Sequence, residues 1–329
     1  MNASWQRLRD DPQGGRTFEM IDPALPHCPS CGGVGVIDVG ALPALRPRTF
    51  GGNDAEVLLE AGHLFHCLGC DLYFRHPYVS QSTLNGLYEK LPSTVWKATE
   101  PGPWWPEISG LMDRYSSNRR VLDVGCFRGD FLHWLPEHWQ KMGIEPNAGA
   151  REVARARGIE LIITTVERAQ VNEAAAGVIT LLDVLEHLVC PFAVLGHLRE
   201  ALADNGSIII LTGAADSLPW RIFGRDYWYA SLPEHVSFFT LRWFRWAAER
   251  LGFSAPSVRY ISSNPGSWKT SLPSFLRQSG YSVVRRLQRS RVPEPLIGRL
   301  PFLRRAARWS SPPWWREAKD HILIVLTKK

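Results

Sequence analysis

From Arg119 onward, apolar residues fall in short unbroken runs: VLDVG (121–125), the end of a second run at GIE (143–145), LIITTV (161–166), VITLLD (178–183), SIIILT (207–212), SVRYI (257–261) and ILIVLTKK (322–329). Continuous Val/Ile/Leu runs of this length predict strands buried on both faces, as in parallel sheets. Helix signals lie between them. Asn147 can cap a helix that stops at Gly158, Pro191 suits the first turn of a helix ending near Gly206, and Thr240 can cap an amphipathic helix to Leu251 with Gly252 as its stop. Strands alternating with helices imply βαβ units with right-handed crossovers. The predicted fold is a Rossmann-like, doubly wound α/β sheet.

The remaining segments divide the chain. Residues 1–25 are polar and predict a flexible N-terminus. Residues 26–100 hold two CxxC pairs with short strands and turns, and a helix over 85–97. The Pro/Trp-rich stretch PGPWWP (101–106) predicts a linker over 101–118 before the main domain at 119–329. Within that domain, 262–319 separates the last two strands. It predicts a helix with Leu276, Gly280, Val283, Val284 and Leu287 on one face and Arg285, Arg286 and Arg289 outside.

Composition sharpens this picture in three places. Hydrophobic residues at 45% and charged residues at 21% predict a packed core, not disorder. No apolar run reaches the roughly 18 residues of a membrane span, and the first residues lack the apolar region of a secretory signal, so a cytoplasmic protein is expected. The net charge of +6 is local: residues 262–316 carry eleven Lys/Arg and one acid, Glu294, which leaves the rest of the chain acidic. Nucleic-acid binding by the whole protein is therefore not expected. The basic segment reads as a solvated face, as a surface for the anionic inner face of a membrane or a lipid-linked substrate, or as an RNA contact.

The candidate site follows from the first strand. VLDVGCFRGD (121–130) runs strand, acid, glycine turn, helix start, and open α/β sheets bind ligands at the carboxyl ends of their strands. Glu145 lies twenty residues past Gly125, at the end of the second strand, where a carboxylate can accept hydrogen bonds from both ribose hydroxyls. A pyrophosphate-binding GxGxxG turn is excluded, because Phe127 and Asp130 occupy its second and third glycine positions.

The acid-x-Gly-x-x-x-Gly turn resembles the first motif of class I S-adenosylmethionine (SAM)-dependent methyltransferases. IEPN (144–147), LLDVLEHLVCP (181–191), NGSIIILT (205–212) and PEHVSFFT (233–240) resemble later motifs of the ubiquinone-O-methyltransferase-like branch, methyltransferase domain 23. The resemblance implies a seven-stranded methyltransferase sheet. It implies that Asp123, Gly125, Cys126, Phe127 and Gly129 line the methionine and ribose part of SAM, although the family usually has a small residue at 127. Glu145 would hold the ribose, Pro146 and Asn147 would lie beside the adenine, Val166 with Thr165 and Glu167 would contact the adenine, and Leu182 and Asp183 would lie under the sulfonium. A general base is needed where the acceptor must lose a proton; His235, with Glu234 beside it, and His187 are the candidates. A similar Glu-His pair occurs in sugar C-methyltransferases, with a tyrosine where this chain has Leu232.

Cys28, Cys31, Cys67 and Cys70 form a four-thiolate set that suits a structural Zn²⁺, with 35 residues between the pairs; a redox site is the alternative. The CxxCDLYFRHP stretch resembles the N-terminal zinc module of methyltransferases from sugar and surface-glycan pathways, which implies a lid over the active site; Tyr88 and Trp96 are within reach of the site from it, or are core aromatics under the linker. The expected function is SAM-dependent methyl transfer to a small acceptor, a sugar or glycan precursor linked to a nucleotide or lipid. An rRNA methyltransferase and a non-catalytic zinc scaffold with a degenerate SAM site are the alternatives.

Overall fold

A computed structural model describes residues 26–43, 62–78, 80–95, 100–162, 165–167, 175–297, 301–309 and 312–329, with isolated positions at 9–10, 16–17, 49–50, 53–54, 169 and 299. Most of the expected flexible N-terminus, and Trp96, lie outside the described residues.

The N-terminal module contributes strands β1 (Val36–Ala41), β2 (His63–Cys67) and β3 (Tyr73–His76), then helix α1 (Gln81–Lys90). The main domain follows with α2 (Trp105–Tyr115), β4 (Arg120–Val124), α3 (Asp130–Trp134), β5 (Gln140–Ile144), α4 (Ala148–Ala156), β6 (Glu160–Ile162), β7 (Ala176–Leu182), α5 (Pro191–Glu200) and β8 (Leu202–Gly213). It continues through α6 (Leu218–Phe223), α7 (Trp228–Ser231), β9 (Ser237–Phe238), α8 (Leu241–Arg250), β10 (Ser257–Ile261), α9 (Trp268–Arg289), α10 (Glu294–Ile297), α11 (Pro301–Ala306) and β11 (His321–Thr327).

Seven strands form one sheet in the order β6-β5-β4-β7-β8-β11-β10. Pairings are parallel from β6 to β8, and β11 runs antiparallel to both its neighbours. Because successive side chains point to opposite faces, each strand feeds two cores. Leu122, Ile208, Ile210, Ile322 and Ile324 join α5 and α8 on one face. Val121, Ile209, Leu211, Leu323 and Val325 join α2, α3 and α4 on the other. The result is a three-layer α/β/α domain.

Expected and observed elements differ where local chemistry intervenes. The linker over 101–118 contains helix α2: Pro106 sits in its first turn, and Ile108 and Met112 are buried against the sheet. Helix α1 begins at Gln81, capped by Ser80, and ends at Lys90, where Leu91 precedes Pro92 and turns extended. Helix α5 stops at Glu200 because Leu202 already pairs with Ala176 in the sheet. The caps at Asn147 and Thr240 form as the sequence indicates, accepting from Ala150 N and Trp243 N.

The long helix α9 keeps only part of its expected face: Gly280 and Val284 are buried and Leu287 is half-buried. Leu276 and Val283 are exposed, as is Leu272, while Ser274, Gln278, Tyr281 and Ser282 are buried. The polar residues turn inward because they have partners there: Gln278 Nε2 donates to the Asp226 carbonyl, and Ser274 Oγ bonds to the backbone of its own helix.

The module is joined to the domain by backbone and side chains. Strand β9 of the domain pairs with β3, so the module's four-stranded sheet reads β9-β3-β2-β1. Asp71 accepts from Thr240, the cap of α8, and Trp243 Nε1 of that helix donates to Ser30 inside the first CxxC turn. Among the described residues no helix is long and apolar enough to cross a membrane.

Candidate active site

The carboxyl ends of β4, β5 and β7 open on a cavity of about 670 Å³, within the range that holds small ligands and cofactors. The turn after β4 shapes one end. Gly125 has φ +72°, and a Cβ there would lie 2.7 Å from Val184, so glycine is required twice over. Phe127 adopts φ +48°, the conformation a glycine would take, so the turn keeps its shape at a cost of about 1 kcal/mol in strain. Its ring sits in the wall, and the cavity remains open.

Glu145 is the hub of this end. Its Oε2 accepts from Phe127 N at 2.9 Å and its Oε1 from Asn147 N at 2.7 Å. A carboxylate has about four acceptor positions, so lone pairs remain for a ligand. Burial raises its pKa to about 7, against the pull of those two N–H donors. Asp123 is likewise raised to about 7 by burial, and it accepts from Thr180 Oγ1 at 2.6 Å.

Ten of the eleven expected cofactor residues line the cavity: Asp123, Gly125, Cys126, Phe127, Glu145, Pro146, Asn147, Val166, Leu182 and Asp183. Gly129 does not. It starts α3 with φ +68°, packed under Ile159, because the turn has already moved away from the cavity there. The role expected of the Asn147 side chain also changes. Its Oδ1 caps α4, and its Nδ2 donates to the carbonyls of Tyr88, Glu89 and Leu91 at the end of α1. It clamps the module's helix to the site and has no donor left for an adenine. By contrast, both carboxylate oxygens of Glu167 and the Thr165 hydroxyl are buried in the lining without a partner among the described residues.

The other end gathers His187, Glu234 and His235. His235 Nδ1 lies 3.0 Å from the Tyr229 carbonyl. A carbonyl only accepts, so Nδ1 carries the proton and Nε2 keeps a lone pair. Burial, helped by the neighbouring His187, holds His235 well below the usual histidine range, so it is neutral. His187 Nδ1 has two neighbours, the Tyr88 hydroxyl, kept protonated by burial, at 2.7 Å and the Glu234 carbonyl at 3.1 Å. The hydroxyl can accept as well as donate but the carbonyl only accepts, so Nδ1 carries the hydrogen here too and Nε2 keeps a lone pair. Glu186, also in the lining, is held by Tyr229 and Thr212, from which it accepts at 2.7 and 2.8 Å.

Several residues at this end have no motif to announce them. Arg75, from the module, is wholly buried and donates to the carbonyls of Ala230, Leu232 and His235, so it fixes the loop that carries the histidine. Burial lowers its pKa to about 10, which leaves it charged. His321 enters because β11 is antiparallel: its first residue pairs with Gly213 at the carboxyl edge of β8. His321 Nδ1 lies 3.3 Å from Asp320, and its Nε2 lies 3.7 Å from Asp183. Burial opposes charge on both partners, yet their attraction outweighs it, lowering Asp320 to about 2 and raising His321. Trp228 and Trp314, rings 4.6 Å apart, complete the wall. An acid-His pair at the start of a terminal strand was the available sequence signal for His321.

Residues 99–258 match the family model described as "Methyltransferase domain". The stretch covers the glycine turn, Glu145, His187 and His235. Among curated proteins, the chain is similar to the ubiquinone biosynthesis O-methyltransferases of Alkalilimnicola ehrlichii (28% identical; 35% of this chain, 51% of that one) and Cronobacter sakazakii (29%; 35% and 52%). It thus spans about half the length of the curated relatives it matches. Among solved structures it is similar to a SAM-dependent methyltransferase from Archaeoglobus fulgidus, at a TM-score of 0.40 and 17% identity over 68% of this chain and 94% of that one.

Away from the cavity, the four cysteines of the module converge. Cys28 Sγ lies 3.4 Å from Cys70, Cys31 Sγ lies 3.5 Å from Cys67, and all four sulfurs fall within 4.8 Å of one another. Each pair sits in a tight turn, with Gly32 N bonded to the Cys28 carbonyl and Asp71 N to the Cys67 carbonyl.

Proposed function

We propose that this chain is a SAM-dependent methyltransferase that methylates a hydroxyl or an acidic carbon of a small acceptor, a sugar or glycan precursor carried on a nucleotide or a lipid. The observation that carries the reading is the polarity of one cavity: an adenosine-type reader at one end and a neutral, lone-pair-bearing His235 at the other. The donor end fits SAM on its own terms. Glu145 has acceptor capacity for ribose hydroxyls, and the partnerless Glu167 and Thr165 offer acceptors to an adenine amino group. SAM, when bound, supplies an electrophilic methyl group. The protein then has to align the acceptor and exclude water.

His235 Nε2 takes the acceptor's proton, and Arg75 with the Tyr229 carbonyl keeps the ring in its productive tautomer and position. His187 orients the acceptor by accepting a hydrogen bond at Nε2. Helix α1, clamped by Asn147, closes the site from above and brings Tyr88 to His187. A lipid carrier suits the exposed Leu272, Leu276 and Val283 of α9.

A second reading takes the acceptor as a phenolic hydroxyl. The named activity of the relatives and the aromatic wall of Trp228 and Trp314 favour it. Incubation with methyl-labelled SAM, nucleotide- and lipid-linked sugars, and simple catechols separates the two. Label in the sugars supports the first reading, label in the catechols replaces it with the second, and label in neither rejects both.

The cysteine cluster fits Zn²⁺. Sulfurs in a tetrahedral ZnS₄ site with bonds of about 2.3 Å lie slightly under 4 Å apart, close to the spacing seen. A closed set of four ligands leaves no position for substrate, so the role is structural. Metal analysis of the purified protein should return about one zinc per chain.

A further inference from the structure

The segment between β10 and β11 folds as a small helical unit with a core of its own. Val284 of α9, Ile297 of α10 and Ala306 of α11 bury one another, joined by Leu287, Leu303 and Trp309. Another side of α9 packs on the domain, where Gln278 and Ser282 bond to Asp226. A third stripe is left outside. Leu272, Leu276 and Val283 share it, because residues four and seven apart fall on one face of a helix. They are 58%, 50% and 43% exposed.

Apolar neighbours extend the stripe. Phe302 of α11 is half-exposed and lies over Gly280, where a Cβ would come 2.4 Å from its ring. Arg286, one turn after Val283, donates to the Ile222 carbonyl near the end of α6. Ile222 and Val39 of β1 both present exposed side chains in the shallow cleft beside it.

The rim is basic. Arg221, Arg225, Arg286 and Arg289 line that cleft against one acid, Asp226, which is buried and clamped by Arg289 at 2.7 and 2.6 Å. Hydrogen bonds to carbonyls hold Arg225 and Arg286 in place but leave their charge uncompensated. Asp38, next to Val39, is taken up by His63 and the Gly40 N–H. On α11, Arg304, Arg305 and Arg308 are exposed, and their side chains have no partner among the described residues.

A leucine and valine ridge rimmed by uncompensated cations matches a lipid surface: the apolar side chains enter the acyl boundary while the arginines meet anionic headgroups. RNA would meet the cations but leave the ridge against phosphate and water. We propose that this face, built by α9 with α6 and α11, docks on an anionic lipid surface. The assignment stands apart from the methyltransferase reading, since it needs neither SAM nor an acceptor. Trp314, half-exposed, lines both the active-site cavity and a cleft with Pro273 and Arg277 of α9, so docking brings that wall of the cavity toward the lipid.

Vesicle flotation of the full-length zinc-loaded protein tests it, with S-adenosylhomocysteine (SAH) binding and the melting temperature as controls. The native protein should float with phosphatidylcholine vesicles carrying about one-third phosphatidylglycerol, and about tenfold less with phosphatidylcholine alone or at about 0.5 M salt. Two variants separate the apolar ridge from the rim. Leu276→Ser/Val283→Ser, which keeps the charge, and Arg304→Ala/Arg305→Ala, which keeps the ridge, should each lower flotation about tenfold or more with both controls unchanged. Native protein that does not float, or floats no better than both variants, overturns the assignment. Loss in the arginine variant alone reduces the contact to bare charge attraction and overturns the docking face. Capture of single-stranded RNA without flotation replaces lipid by nucleic acid. Absence of SAH binding by the native protein strikes only the methyltransferase reading.

Discussion

The two ends of the cavity are built in opposite ways. The donor end is mostly local: a turn, the carboxylate closing the next strand and a cap two residues later lie within about 27 residues of chain from Val121 to Asn147, with Thr165 and Glu167 added from just beyond the following strand. The acceptor end is assembled from afar. Arg75 and Tyr88 come from the module, Tyr229 from α7, His235 from the loop before β9, His321 from the last strand, and Trp314 from the segment before it. A donor shared by many reactions can be gripped by one compact motif. An acceptor particular to one reaction is gripped by whatever elements the fold can bring to the same edge.

The largest predicted effect lies at the distant end. His235→Ala should lower kcat by about 10²- to 10⁴-fold while leaving SAH affinity as it was; calorimetry beside single-turnover kinetics checks both halves. Equal loss of SAH binding would erase the distinction between the ends.

A smaller effect is expected from removing metal. Stripping the cysteine cluster with a chelator should loosen β2 and β3, and with them Arg75, so acceptor turnover should fall about tenfold or more. SAH binding should survive, since the donor end's side-chain hydrogen bonds to the module, from Asn147 and Arg128, go to the end of α1 and to Ser93 just beyond it, not to the metal-bearing strands. Retained turnover in metal-free protein would uncouple the module from the acceptor end.

Acidity should act on the opposite end. Glu145 is raised to about 7 and reads ribose hydroxyls best when ionised. SAM affinity should therefore be full above pH 7 and fall by up to about tenfold per unit below it. His235, held neutral by burial, adds no acid limb in that window. At saturating SAM the acid limb should fade from kcat. A limb that persists there places the titrating group at the acceptor end.

Phe127→Gly should do least. It releases the strain of a positive φ but loses the packing of a half-buried ring, so SAH affinity should stay within about threefold. A much larger gain would mean that Phe127 crowds the donor end.

The same contrast explains what could be read before the structure. Strands announced themselves as apolar runs, and Asn147 and Thr240 announced their helices, because these signals are short-range. Glu145 was visible through spacing alone. Arg75 was not: a single arginine in YFRH reads as a surface residue until β9 pairs with β3 and encloses it. His321 was hidden by strand direction, since only an antiparallel last strand puts its first residue at the functional edge. On α9 the hydrophobic pattern held for Gly280, Val284 and Leu287 but missed Leu276 and Val283, because buried Gln278 and Ser274 found hydrogen-bond partners that periodicity does not register. Gly129 and the Asn147 side chain were assigned to a ligand by motif position, yet one starts a helix and the other joins two.

The central claim is that Glu145, tied to the backbone of the turn after β4, grips an adenosyl ligand. Titration calorimetry of SAH into native protein and Glu145→Gln, both zinc-loaded, is the direct measurement. The account predicts saturable one-to-one binding to the native chain and a loss of about 100-fold in the variant, with the melting temperature of the ligand-free proteins little changed. No binding to the native chain, or equal binding to both, would contradict it.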